Sequence, residues 1–321
     1  MFGLKFDALM SLKTYAIILL PAAALYALGL FGVLSSNAMR YLLQICLYIT
    51  LGEAWNLLSG FAGMTSLGQQ LFIGLAGYTM AVVTSTYNLS LLWGIVIAMA
   101  TSLVVAIPLS QVLFRMRGMY FAIATWVAAE AMEKIFLNWR FVGQGSGMSI
   151  RLSPYPTIDQ LFPLALLLCC GSLVIVCAVL HSKLGLGLMA MRDDPEAAAA
   201  VGVNPARSSL AVYLIAAILT ALAGALFFVN KGTIYPDSGY SVGWTVAAVF
   251  ICIIGGSGTV LGPVAGAIIF VLLQEFLAHY PGWSNIMLGL FTLLVIFYLP
   301  NGIVGSIRRR FGVDLLFARR R

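Results

Sequence analysis

Residues 191–207 read MRDDPEAAAAVGVNPAR, the longest strongly polar interruption in a chain that is otherwise hydrophobic enough for a membrane. Asp194 has the short acceptor side chain of a helix N-cap. Pro195 sits at the first helical position, where a missing N–H costs nothing, and Glu196 puts negative charge near the positive end of the helix dipole. Gly202 supplies a stop. One residue later the start signal repeats, with Asn204 as cap and Pro205 opening a longer hydrophobic helix. The stretch predicts a short, alanine-faced helix held between two membrane spans.

Hydrophobic residues make up 61% of the chain and charged residues 9%, and the mean hydropathy is +1.00. A soluble core of this length has no use for so much apolar surface, so the expected fold class is an all-α polytopic membrane protein. At about 20 apolar residues per spanning helix there is room for roughly eight to ten spans. A single membrane domain, 1–321, accounts for them all. No cleavable leader is distinguishable from an ordinary first span, so the N-terminus is expected to be kept. Cys46, Cys169, Cys170, Cys177 and Cys252 lie in apolar runs without metal-ligand spacing and read as free packing residues. A net charge of +7 raises nucleic acid as a partner, but the basic residues cluster at span ends and in the tail, the positive-inside distribution. No nucleic-acid partner is expected. Arg308 to Arg310 and Arg319 to Arg321 fix topology and also suit anionic lipid headgroups.

Lys5 and Lys13 precede a first apolar segment at 15–34 and place the N-terminus in the cytoplasm. Further segments fall at 41–58, then to about 87 after the Gly-rich link 59–68, and at 91–114. Arg115 and Arg117 follow on the cytoplasmic side, as one crossing per segment requires. A fifth segment at 120–137 leads to an external loop, 138–160, rich in Gly, Ser and Pro and suited to a lid or docking surface. A sixth at 161–180 returns to the cytoplasmic loop 181–208, and a seventh at 210–229 leads to an outer loop at 231–241. Segments at 242–254 and 261–277, joined by GGSGTVLG, read either as two spans or as a re-entrant hairpin. A last span at 286–299 puts the arginine-rich tail inside, so ten segments place both termini and the 191–207 stretch in the cytoplasm.

No GxxxxGK[ST] run occurs, so the chain carries no P-loop and any ATP it depends on is hydrolysed elsewhere. His181 and His279 have no metal-ligand spacing around them. Among the carboxylates, Glu130 is expected to pair with Lys134 and Glu275 with His279, each at i, i+4 near the outer end of a segment, and Glu133 lies beside the first pair. Glu53 lies inside the second segment without an evident partner, and either lines a watery path or snorkels to the interface. The Gly-rich breaks at 60–77 and 255–266 allow close helix packing or expose backbone dipoles to a polar substrate. Gln69 and Gln70, flanked by Gly68 and Gly74, are the polar side chains expected to face a path. An ion-coupled secondary carrier is the alternative class, with Glu53 its leading residue.

Glu196, Ala197 and Ala198 followed by Gly202 match the EAAxxxG signature of ABC-importer permease subunits. NLLSGFAGMTSLGQQLFIGLAGY (56–78), FRMRGMYFAIATW (114–126), GLGLMAMRDDPEAAAAVGV (185–203) and the run from GGSGTVLGPVAGA (255–267) to LPNGIVG (299–305) stand in family order. The chain thus resembles the LivM-type branched-chain amino-acid permeases over most of 40–305. The resemblance implies an ABC importer in a bacterial inner membrane. Its parts are a related second permease subunit, two cytoplasmic ATPases that bind the ATP and Mg, and an external substrate-binding protein; this chain itself has no cofactor. Asp193, Asp194, Pro195, Glu196, Ala197, Ala198 and Gly202 would form the coupling helix seated on an ATPase. Branched-chain amino acids are the implied cargo, with urea, other amides and sugars carried by related permeases. Where family members often carry His after S-L-G, this chain has Gln69, which keeps hydrogen bonding and loses a titratable group.

Overall fold

The computed structural model describes residue 16 and residues 18–278, 284–298 and 302–311. The fold is nearly all helical. In chain order the longer helices are α1 (Ile18–Leu30), α2 (Ser36–Asn56), α3 (Gln69–Ser85), α4 (Leu91–Leu113), α5 (Met119–Asn138) and α6 (Ile158–His181). Two short helices follow, α7 (Lys183–Asp193) and α8 (Pro195–Ala200), then α9 (Pro205–Lys231) and the single turn α10 (Pro236–Gly239). The last four are α11 (Gly243–Gly255), α12 (Gly262–Ala278), α13 (Ser284–Tyr298) and α14 (Gly302–Phe311). Four stretches among the described residues are long and apolar enough to cross a membrane: α4, α6, α9, and Pro236–Gly255, which joins α10 to α11. The chain is a multi-pass membrane protein.

Burial separates centre from rim. The most apolar window of α9 is 72% buried, whereas that of α4 is 22% buried and leaves Leu92, Trp93, Val96 and Val104 exposed, as lipid or a partner subunit requires. Against α9 lies α3, joined at three successive levels. Thr220 donates to Gln69 Oε1 at 2.8 Å, a Cβ on Gly224 would lie 2.7 Å from Ile73 Cα, and one on Gly77 would lie 2.5 Å from the Phe228 ring. Partner numbers rise together, so α3 and α9 run parallel, and glycine brings their backbones together where lipid offers no hydrophobic drive. The same reasoning makes α2 parallel to α11 (Tyr48 by Trp244, Gly52 by Cys252) and antiparallel to α12 (Gly52 by Pro263, Tyr48 by Phe270, Tyr41 by Glu275).

The stretches 138–160 and 231–241 meet. Within them β1 (Met148–Ser149) pairs antiparallel with β2 (Thr233–Ile234), and Ile150 N donates to Gly232 O at 2.8 Å. Helix bounds follow the hydrophobic runs closely, with two additions: α7, whose KLGLGLMAMRD is too glycine-rich to announce a helix, and α14 in the basic tail. The expected Glu130–Lys134 pair does not form. Lys134 Nζ reaches Glu133 Oε1 at 3.1 Å, while Glu130 accepts from Trp126 Nε1 at 3.2 Å, since neighbouring side chains take both ends of the longer link. Glu275 accepts from Tyr41 Oη at 2.7 Å; its expected partner His279 lies outside the described residues, as do residues 1–15 and 312–321.

The two segments after 241 form an antiparallel hairpin. A Cβ on Gly255 would sit 1.8 Å from Gly262 O, and one on Gly266 1.9 Å from Ile251 O, so the helices touch backbone to backbone. The hairpin starts with Trp244 stacked edge-on to Phe227, near the end of α9, and its tip at Gly258 lies by Arg192 of α7. At 1.5 Å per residue the 13 residues of α11 make about 20 Å of helix, about half the length of α9 with its 27 residues. Gly266→Ala forces these helices apart. It is expected to cost at least about 2 kcal/mol and to lower the thermal midpoint of the detergent-purified protein, whereas Gly289→Ala, where an added Cβ meets nothing within 4 Å, leaves the midpoint unchanged.

Candidate functional site

The 191–207 stretch folds as its caps dictate. Asp194 Oδ1 accepts from the amides of Glu196 at 2.9 Å and Ala197 at 3.1 Å, so two of the four unpaired N–H groups of α8 are satisfied, and Pro195 has none to satisfy. At the other end Val203 N bonds Ala198 O and Gly202 N bonds Ala199 O, each at 3.1 Å, with Gly202 at φ +91°. This paired closure needs a residue in the left-handed region, which is why glycine stands there. Asn204 Oδ1 then caps α9 by accepting from Arg207 N at 3.1 Å. Of the α8 residues only Ala198 is buried; Glu196, Ala197, Ala199 and Ala200 face outward, followed by Val201 at 79% exposed. Asp193 ends α7 just before the cap.

Inside the body, Gln69 and Gln70 begin α3 after Gly68, and both are buried. Thr220 lies near the middle of the 27 residues of α9, so the bond from Thr220 to Gln69 sets the start of α3 deep within the fold. Gln70 Oε1 accepts from Thr245 of α11, and its Nε2 has no hydrogen-bond partner among the described residues. A helix that begins there presents its unpaired N–H groups to the interior, which is where a polar solute needs donors. One turn along α3, Ile73 joins Leu47, Leu51, Phe227 and Trp244 in lining a small apolar cavity. Polar ends and an apolar wall thus lie side by side.

Glu53 is fully buried in α2, and neither carboxyl oxygen has a hydrogen-bond partner among the described residues. Burial rules out the snorkelling expected as one alternative. The sequence brings Glu53 and the glutamines to neighbouring helices but not into contact: Glu53 faces α6 and α11, within electrostatic reach of Cys169, Cys177 and Cys252. Three features were not readable from the sequence. One is the exposure of Val201, and another is the pair of buried hydroxyls on Tyr78 and Tyr240, which have no partner among the described residues and whose rings stack with centroids 6.2 Å apart. Arg192 was one basic residue among several, yet its Nη1 donates to Gly60 O at 2.5 Å.

The pattern of the family described as "Branched-chain amino acid transport system / permease component" matches residues 37–299. Among curated relatives, the high-affinity branched-chain amino acid transport system permease protein LivM of Salmonella typhimurium is 25% identical over 82% of this chain and 68% of its own. The galactose/methyl galactoside import permease protein MglC of Haemophilus influenzae is 31% identical over 36% of each chain. LivH of Escherichia coli, also a high-affinity branched-chain amino acid permease protein, is 26% identical over 39% of this chain and 41% of its own. No solved structure matches the chain. With a match spanning four-fifths of its length, the chain belongs to the branched-chain amino acid transport permease family.

Proposed function

We propose that this chain is one membrane subunit of an ABC importer that moves branched-chain amino acids across a bacterial inner membrane, with ATP and Mg bound by separate ATPase subunits. The observation that carries this reading is α8: a doubly capped helix with four outward small or acidic residues and an exposed Val201, at the end of a membrane body. Its polar caps and scarcity of large apolar residues suit a protein groove better than lipid. Asp193, Asp194, Pro195, Glu196, Ala197, Ala198 and Gly202 make up this docking element within a cytoplasmic loop, 181–208.

Ten segments with both termini in the cytoplasm fit the helix directions, because parallel pairs (α3 with α9, α2 with α11) share parity and antiparallel pairs (α2 with α12) do not. On this reading α11 and α12 each cross the bilayer, α11 together with the preceding turn α10 as the stretch Pro236–Gly255 that is long and apolar enough to do so. The strand pair joining 138–160 to 231–241 then lies outside, where a substrate-binding protein docks. A related second permease subunit covers the exposed rim and completes the path. In this chain the path passes Gln69 and Gln70 at the start of α3, with Glu53 deeper in α2. A sugar as cargo is the second reading, favoured by the resemblance to the galactose permease over part of the chain.

Reconstitution in liposomes with the ATPases and binding protein should give leucine uptake that depends on ATP; uptake driven by an ion gradient alone overturns the reading in favour of a secondary carrier. Glu196→Trp, or Gly202→Val at φ +91°, is expected to cut uptake at least tenfold while membrane insertion stays intact, and normal uptake in both counts against the docking role. Glu53→Leu removes two unpaired buried oxygens and should leave thermal stability equal or higher. If Glu53 serves transport, uptake falls despite that stability; if uptake is unchanged, Glu53 is not part of the path.

A further inference from the structure

Arg192 connects three parts of the fold that are far apart in sequence. Its Nη1 donates to Gly60 O in the π-helical turn Leu57–Phe61 that ends α2, at 2.5 Å. Its stem crosses Gly63, where an added Cβ would lie 3.2 Å from Arg192 Cγ. Its guanidinium borders Gly258, where an added Cβ would lie 3.2 Å from Nη1. Gly60, Gly63 and Gly258 thus form a slot without side chains. Gly63 and Gly258 also hold positive φ, +70° and +75°, so residues with side chains are strained there as well as crowded.

The slot lies at two helix ends of the same sign. α2 with its π turn and α11 both finish beside it, and the unpaired carbonyls of a helix C-terminus attract a cation. Asn56 ties those ends to each other: its Nδ2 donates to Thr259 O at 2.9 Å and its Oδ1 accepts from Gly258 N at 2.8 Å. Backbone bonds also stiffen the link from Arg192 to α8, with Asp194 N to Ala190 O at 2.9 Å and Ala198 N to Asp194 O at 3.0 Å. Glu53 is one turn from Asn56, and Cys252 donates to the adjacent Gly52 O at 3.1 Å.

We propose that Arg192 is the positioning residue that passes movement of α8 into the paired ends of α2 and α11, and through them to the path. The inference rests on the docking role proposed for α8. A displacement of α8 carries Arg192 with it across the glycine slot, pulling on Gly60 directly and on Gly258 through the Asn56 pairing. Because the contact is one charged bond over bare backbone, it can shift without repacking side chains.

The test is Arg192→Ala and Arg192→Lys in the complete reconstituted complex, with leucine as the transported probe and leucine taken up per ATP hydrolysed as the readout. R192A is expected to lower that ratio at least tenfold with assembly and thermal midpoint unchanged, and R192K, which keeps a cation at the carbonyls, to recover part of it. An unchanged ratio in R192A overturns the inference. So does a ratio that falls only in step with lost assembly or a lower thermal midpoint in both variants, which marks a purely structural bond. Glu196→Trp, run alongside, separates the two proposals: if it uncouples while R192A does not, only the Arg192 inference fails, and normal coupling in both removes the docking role itself.

Discussion

The Asn56 amide, bonded through both of its polar atoms to the backbone at Gly258 and Thr259, is the interaction around which the α8 end of the fold is arranged. In a bilayer, irregular backbone is tolerated only where protein satisfies it, and this chain breaks helical structure at 62–68 and again at 256–261. The end of α2 serves both: Asn56 bonds the N–H and carbonyl of the 256–261 break, and Trp55 Nε1 donates to Ser66 O in the 62–68 break at 2.8 Å. Gly60 has to be glycine for this to work, since a Cβ there would sit 2.1 Å from Asn56 Oδ1.

Close approach does the rest of the packing. Backbone contacts at Gly255, Gly266 and Gly224 bring α11 onto α12 and α9 onto α3 at separations that side chains forbid. Buried threonines then satisfy themselves on the preceding turn or reach a neighbour, as Thr220 and Thr245 do with Gln69 and Gln70. Glu53 carries the largest cost among the few buried groups without a partner among the described residues, because a carboxyl in a membrane interior costs several kcal/mol.

Helix positions were largely legible from hydrophobic runs, and the caps of α8 and α9 were legible residue by residue, because Asp-Pro and Asn-Pro fix local backbone whatever surrounds them. α7 was not, since two glycines and a leucine-rich run carry no helix start of their own; Ser182 and the packing of Gly185 onto Leu180 supply it. The Glu130–Lys134 pairing failed for a related reason. Spacing at i, i+4 places two residues on one face, but which neighbour each reaches depends on competing side chains, here Trp126 one turn earlier on α5 and Glu133 beside Lys134.

By itself, then, the sequence determined the membrane class, the order of segments, the capped helix α8 and the family, all properties of local pattern and composition. Tertiary structure alone decided that α3 starts deep against the middle of α9, that the 256–261 break meets the end of α2, and that Arg192 reaches both. These contacts join residues up to 203 positions apart, and no local rule carries that information: it emerges only when glycine-lined helices settle at the distances their missing side chains allow.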